Sequence, residues 1–559
     1  MKNLLYPILF LTLFSGCQKD FLDREPLDML TSDAVFKSEA LVEAYLYKIY
    51  NYIPNGYGFL NYLQPGNELV AYSDQGAYMI DCLTDIMTNK SGWPTAVSTI
   101  IPGNIFPSTS LVGLDIWERA YTTIRYANAM LENLESSELE SGFIARISSE
   151  ARFIRAFMYF DLARRYGGVP LITKVQTLED FNAIMVSRST LEDVYDFIDL
   201  ELTEIAELLP SAAKLPAAQL GRVTQEACWA LNGRAQLYAK NYSKSAEMSK
   251  KVIDAQVYRL ATNYNALFQS YGGDKEVIFE ILFNGADKGH SMDRIAYPFS
   301  HRADWGSQYL PTQELVDAYE MTNGLPITDP NSGYNAEKPY ENRDSRLAAS
   351  VLYHGNLFKG TPIFVAKSSD PKVLPHDVNA IGLTGNHTTT GYYLKKFLDE
   401  AIPDGPAFGV SQTSWKEIRL AEVLLNYAEA QNEVSGPDQS VHDAINRIRA
   451  RAQQPNLPSG LNKEEMFERI VQERKIELFG EGFRYWDLRR WKMAIEVLHG
   501  KKVHGTEIIK DANNPSNLTY NIIEAANRPF YVFLERFYVL PIPQGEIDKN
   551  SNLTQNPGY

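Results

Sequence analysis

Apolar residues recur at helical spacing along most of the chain. In SSEARFIRAFMYFDLARRYGG (148–168), Phe153, Phe157 and Phe160 fall at i, i+4 and i+7, which gathers three aromatics on one helix face. Gly167, Gly168 and Pro170 predict where that helix stops. Residues 115–134, 190–209, 224–255, 415–434 and 463–479 carry the same period and predict further helices. Within 230–254, Tyr242 marks a turn between two helices, and small Ser245 and Ala246 just after it admit close antiparallel packing. LAEVLLNYAEAQNEVSGPDQSVHDAINRIRARA (420–452) repeats the plan with SGPD as the break. No fixed period links these units. The expected fold is therefore mainly α, a scaffold of tetratricopeptide-like helical hairpins.

Residues 53–113 and 261–414 break the pattern. They are rich in Gly, Pro, Asn, Ser and Tyr, with short apolar runs such as EVIFEILF (276–283), which predicts a strand. Loops this long in a compact protein usually carry function. The reading is one large domain over 17–559. Its helical scaffold covers roughly 30–52, 114–260 and 415–500, and an inserted loop-rich lobe with minor β structure, covering 53–113 and 261–414, holds the ligand.

Composition narrows the class. The 559 residues include 33 Tyr and 26 Phe against 3 Cys, so packing rather than a disulfide framework must hold the fold. A net charge of −15, with no Lys/Arg-rich run, argues against nucleic-acid or anionic-membrane partners. MKNLLYPILFLTLFSGC has the layout of a secretory leader over residues 1–16, and the Ser15-Gly16 pair before Cys17 resembles a bacterial lipobox in which that cysteine is lipidated. An ordinary cleaved leader is the alternative. Whether Cys82 and Cys228 pair stays open.

Metal and nucleophile motifs are missing. There is no HExxH, CxxC, GxSxG or GxxxxGK[ST], so no cofactor is expected, and structural calcium is not indicated. Paired carboxylates for glycoside hydrolysis stay open, because two acids can meet only in the fold. The lobe does offer tryptophans outside any helical period, Trp93 in SGWPT and Trp305 in HRADWGSQY. Flat rings of this kind suit the CH faces of sugars, with Asp74 as an acceptor and Arg302 as a donor fork for hydroxyls. GFRYWDLRRW (482–491) is the most aromatic and basic stretch, yet Phe483, Trp486 and Arg490 share one helical side. Asp487 lies three residues from both Arg484 and Arg490, and Glu473, Glu477 and Glu481 lie upstream as further ion partners, so this stretch reads as core.

Several segments together resemble the SusD/RagB family of outer-membrane nutrient-binding lipoproteins. They are the lipobox with CQKDFLD, RFIRAFMYFDLARRYGGVPL (152–171), PTQELVDAYEMTNGLPI (311–327), RLAEVLLNYAEAQNE (419–433), ERKIELFGEGFRYWDLRRW (473–491) and YVLPIPQGEIDKNSNLTQNPGY (538–559). The resemblance implies a non-enzymatic, lipid-anchored protein of the cell surface. Such a protein captures oligosaccharide or polysaccharide and passes it to a TonB-dependent, SusC-like transporter. It also implies ligand contacts near Asp74 to Trp93 and near Arg302 to Trp305, with Tyr392 in TGYYLKKF added. A lipid-anchored glycoside hydrolase, a binder of peptide or another nutrient, and a pure assembly protein are the competing readings.

Overall fold

The computed structural model describes residues 35–57, 80–90, 95–109, 111, 114–177, 179, 184–285, 288–304, 306–385, 387–526 and 528–559. It is 43 % helix and 9 % strand, the mainly α fold expected. Cys17, Asp74, Trp93 and Trp305 lie outside the described residues.

Helices pack in chain order. Helix α1 (Glu39–Tyr50) lies on α3 (Ser141–Tyr166), as does α2 (Trp117–Glu135). Helix α3 packs on α4 (Leu191–Ala206), α4 on α5 (Gln225–Tyr238), and α5 on α6 (Tyr242–Ala255). The chain then leaves the helical layer and returns at α7 (Leu420–Ser435), which packs on α6 and receives α8 (Gln439–Arg451) and α9 (Lys463–Glu477). Reciprocal capping fixes two of the starts, Thr190 with Asp193 for α4 and Asn462 with Glu465 for α9.

The α5–α6 hairpin shows why small residues were needed. Ser245 Oγ donates to the Gly233 carbonyl at 2.7 Å, and a Cβ at Gly233 would stand 2.8 Å from Ser249 Oγ. Tyr242 opens α6; the turn itself is made by Lys240, at φ 62°, and the capping Asn241. The aromatic stripe of α3 works in two directions. Phe153 meets Phe279 edge-on at 5.3 Å, and Phe160 meets Tyr238 at 5.2 Å, so the stripe joins the helical layer to the strands of the insertion.

The principal strands of the described chain are short: β1 (Met87–Asn89), β2 (Val277–Ile281) and β3 (Tyr309–Pro311) in the insertion, and β4 (Trp415–Arg419), β5 (His504–Lys510) and β6 (Leu518–Glu524) after it. EVIFEILF forms β2 as expected. Residues 415–419, expected to belong to a helix, instead form β4, antiparallel to β2 with Ile281 opposite Trp415. Pairing to a distant strand overrides the local period here. The β5–β6 hairpin was not foreseen; β5 also pairs in parallel with Lys367–Ser368.

A buried ionic network joins the insertion to the scaffold. Arg346 binds Asp344, Glu473 and Glu477; Arg419 binds Glu276, Glu477 and Glu481; Arg449 binds Glu320 and Glu473. Arg451, Arg469 and Lys396 complete it on Glu276, Glu477, Glu320 and Glu481. Six carboxylates therefore face six cations, which satisfies the requirement that buried charge be paired. The three glutamates expected to serve the arginines of GFRYWDLRRW are committed to this network instead.

Helix α10 (Phe483–Arg490) finds other partners. Arg484 forms a fork on Asp85 at 2.9 and 3.0 Å, and Asp487 accepts from Arg474 and Arg490. Arg490 also binds Glu429. Trp486, only 4 % exposed, lies beneath the guanidiniums of Arg164 and Arg165 at 4.7 and 4.9 Å. This stretch is core, as its spacing indicated. Cys82 and Cys228 are buried thiols not joined by a disulfide.

Candidate functional site

Strands β1 and β3 bring two distant parts of the sequence side by side. Met87 pairs with Pro311, Thr88 with Leu310 and Asn89 with Tyr309 in an antiparallel ladder. The ladder continues one step, where the Lys90 N–H donates to the Gln308 carbonyl at 3.1 Å. Lys90 Nζ then donates to the Gly306 carbonyl at 3.0 Å. Residues 87–90 and 306–311 therefore lie side by side.

The loop that carries Arg302 is closed by its own backbone. Ser307 N–H donates to the Tyr297 carbonyl at 2.9 Å, and Gln308 N–H donates to the Ile295 carbonyl at 2.8 Å. Ser307 sits at φ 66°, and Gly306 packs so closely that a Cβ there would lie 2.8 Å from the Tyr297 carbonyl and closer still to Arg302. Arg302 Nη1 donates to the carbonyls of Ala303 and Asp304 at 2.5 and 2.6 Å, so part of its fork shapes the loop. Its guanidinium stands 4.3 Å over Phe299, while His387 stacks on the same ring at 3.7 Å and 18°. Two groups that close cannot share one face, so Phe299 is covered on both.

Electrostatics at this junction is set by burial. His387 Nδ1 accepts from Thr384 N–H and Nε2 lies 3.1 Å from the Val378 carbonyl, which fixes the Nε2–H tautomer. Burial lowers the His387 pKa. Burial, and secondarily the Arg302 charge, brings the Lys90 ammonium down to about 8. Exposed Asp304 pairs with Arg294, whose guanidinium covers Phe408 at 4.0 Å. The described rim thus offers a guanidinium and a carboxylate, a donor and an acceptor for hydroxyls. Lys90, Phe299 and His387 escaped the sequence reading, because nothing local distinguishes them; Asp304, next to Trp305, could have been found there.

Tyr392 does not belong to the rim. It is 1 % exposed, and its hydroxyl donates to Gln313 Oε1 at 2.7 Å beneath Tyr340. Its assignment as a ligand contact is corrected: the ring is core, and its one polar atom already has a partner.

Two buried aspartates, Asp293 and Asp399, are neighbours in the fold. Asp293 accepts from the Asp399 N–H at 2.7 Å, and burial pushes the Asp293 carboxyl up to about 7. Both are buried, with Tyr271 bonded to Asp399 Oδ2 at 2.5 Å and Tyr297 bonded to its carbonyl, so no substrate reaches this pair as it stands. Among the described residues, no three His, Cys, Asp or Glu side chains are grouped to hold a metal ion. No described helix is long and apolar enough to cross a membrane.

A helical layer carries a strand-tied insertion, with charged residues at the insertion's described junction. Comparison with known sequences is specific: residues 275–559 match the profile of the SusD family, and residues 20–237 match one described as starch-binding associating with outer membrane. The chain belongs to the SusD family. It is 27 % identical to SusD-like protein P2 of Formosa agariphila over 79 % of this chain and 80 % of the relative. With the starch-binding protein SusD of Bacteroides thetaiotaomicron it shares 23 % identity over 74 % of this chain and 73 % of the relative. The crystal structure of a SusD-like carbohydrate binding protein from Bacteroides fragilis, 27 % identical, superposes with a TM-score of 0.76, covering 93 % of this chain and all of that one.

Proposed function

We propose that this protein is a non-catalytic glycan-binding lipoprotein of the cell surface, anchored through lipid on Cys17, that passes oligo- or polysaccharide to a SusC-like TonB-dependent transporter. In this reading residues 1–16 are the leader and 17–559 the working chain. The observation that supports the site is the β1–β3 pairing with the Lys90–Gly306 bond, which sets residues 87–90 beside residues 306–311. Trp93 and Trp305 supply the stacking surface, and Asp74 and Arg302 bind hydroxyls. Family membership and the starch-binding and carbohydrate-binding relatives support the ligand class.

A panel of polysaccharides in native gels tests it. The unlipidated chain is retarded by at least one glycan, Trp93→Ala and Trp305→Ala reduce that retardation, and chromatography after long incubation finds no released sugar. Unchanged retardation of both variants overturns the site, and catalytic release of reducing ends overturns the non-enzymatic reading in favour of a hydrolase.

A further inference from the structure

A cleft of about 550 Å³ lies on the helical scaffold and shares no residue with the β1–β3 junction. Helix α2 lines it with Glu118, Tyr121, Thr122 and Arg125, which recur at i, i+3, i+4 and i+7 and so share one face. The extended segment 170–176 and the C-terminal residues 546–553 supply further lining residues.

This cleft is built rather than incidental. Asn128 Nδ2 donates to the Ile172 carbonyl at 3.0 Å, and the Tyr159 hydroxyl bonds both the carbonyl and the N–H of Ile172, so helices α2 and α3 pin the segment from within. Asn550 Nδ2 donates to the Val186 carbonyl at 2.9 Å and ties another wall to the C-terminus. Arg125 Nη1 donates to the Gln176 carbonyl at 3.1 Å, which positions the guanidinium and leaves donors over. Trp117 is 5 % exposed, and its indole N–H makes no hydrogen bond among the described residues.

Charge in the cleft is divided. Lys549 bonds Glu546 at 2.9 Å and lies in the field of Glu118, so this group of three keeps a net negative charge. Arg125 and Lys174 form no ion pair among the described residues and make a positive group. Glu118 and Arg125 are seven residues apart on α2, which places them two turns, or roughly 10 Å, from each other. An extended chain of three residues spans about the same distance between its ends. A neutral saccharide has no fixed charge to meet either group.

We propose that this cleft binds a short zwitterionic peptide of about three residues, its ammonium group at Glu118 and its carboxylate between Arg125 and Lys174. An apolar central side chain would pack on Trp117 and Leu553, and the indole N–H would donate to a peptide carbonyl. This site is independent of the glycan reading.

Calorimetric titration of the full chain carrying Cys17→Ser with the peptide Ala-Leu-Ala is the test. The free peptide binds, and N-acetylation or C-amidation each weakens binding at least tenfold. Arg125→Gln weakens the free peptide by a similar factor but leaves the amidated one unchanged, and circular dichroism matches the parent. Absence of heat up to about 10 mM peptide, or equal binding of the blocked peptides, overturns the proposal. So does a linear neutral oligosaccharide whose binding is lost in Trp117→Phe but kept in Trp93→Ala and Trp305→Ala.

Discussion

Lys90 donates its ammonium to the carbonyl of Gly306 at 3.0 Å, across 216 positions of sequence. The bond fastens the exit of one candidate loop to the entry of another. Its acceptor belongs to a residue that has no room for a side chain.

Gly306→Ala is therefore expected to disturb the site and the fold together. The new methyl would meet the Tyr297 carbonyl at 2.8 Å, and backbone cannot yield as a flexible side chain does. We expect a loss of about 1–3 kcal/mol in urea denaturation, with glycan retardation reduced in native gels under conditions where the variant is still folded.

Glu477→Gln should be among the most damaging single changes. Arg346, Arg419 and Arg451 all bind this carboxylate. Burial opposes its charge, yet Arg451, Arg419 and Arg346 outweigh that and hold the carboxyl well below the usual range. Removing the charge leaves buried guanidiniums without their shared partner, at a cost of about 3–5 kcal/mol. Chemical denaturation monitored by circular dichroism measures it.

Asp293 predicts a dependence on pH of the opposite sense to that of a salt-bridged carboxylate. Its folded pKa is raised to about 7, from an ordinary 3.8, by burial, and Asp399 adds to the effect. The folded chain therefore holds a proton that the unfolded chain releases, and this group's stabilisation is complete below about 4 and lost as pH rises through 7. Asp293→Asn removes that dependence. Thermal melts should show the variant gaining on the parent from pH 4.5 to pH 8; a constant gap would refute the assignment.

Tyr392→Phe separates core from rim. It deletes a buried hydrogen bond to Gln313 and leaves that acceptor unpaired, so a loss of about 1–3 kcal/mol is expected. Glycan retardation should not change, whereas Trp93→Ala and Trp305→Ala should change retardation with little effect on melting.

Much of the scaffold was legible because it is local. Phe153, Phe157 and Phe160 announce their helix by spacing alone, and the Thr190–Asp193 and Asn462–Glu465 boxes mark starts within four residues. Trp415–Arg419 was misread because its helix-compatible period continues into α7, while the strand it joins lies far back at Val277–Ile281. The β5–β6 hairpin had a readable signal in the turn-forming DANNPSN between two β-rich runs. Partners of Glu473, Glu477 and Glu481 were beyond reach, since Arg346 and Arg419 lie more than fifty positions away, Arg449 and Arg451 lie 24 and 26 positions away on another helix, and nothing local selects any of them. At the candidate site the sequence pointed to Arg302, whereas burial alone removes Tyr392.

The three-rung ladder between β1 and β3 has one more property. Its rungs are main-chain bonds, and main-chain bonds carry no information about side-chain identity. Loops mounted on such a base can change length and residues without renegotiating the scaffold beneath them. The helical body and its buried ions resist alteration, while the rim above Lys90 and Gly306 rests on main-chain bonds that almost any sequence can make.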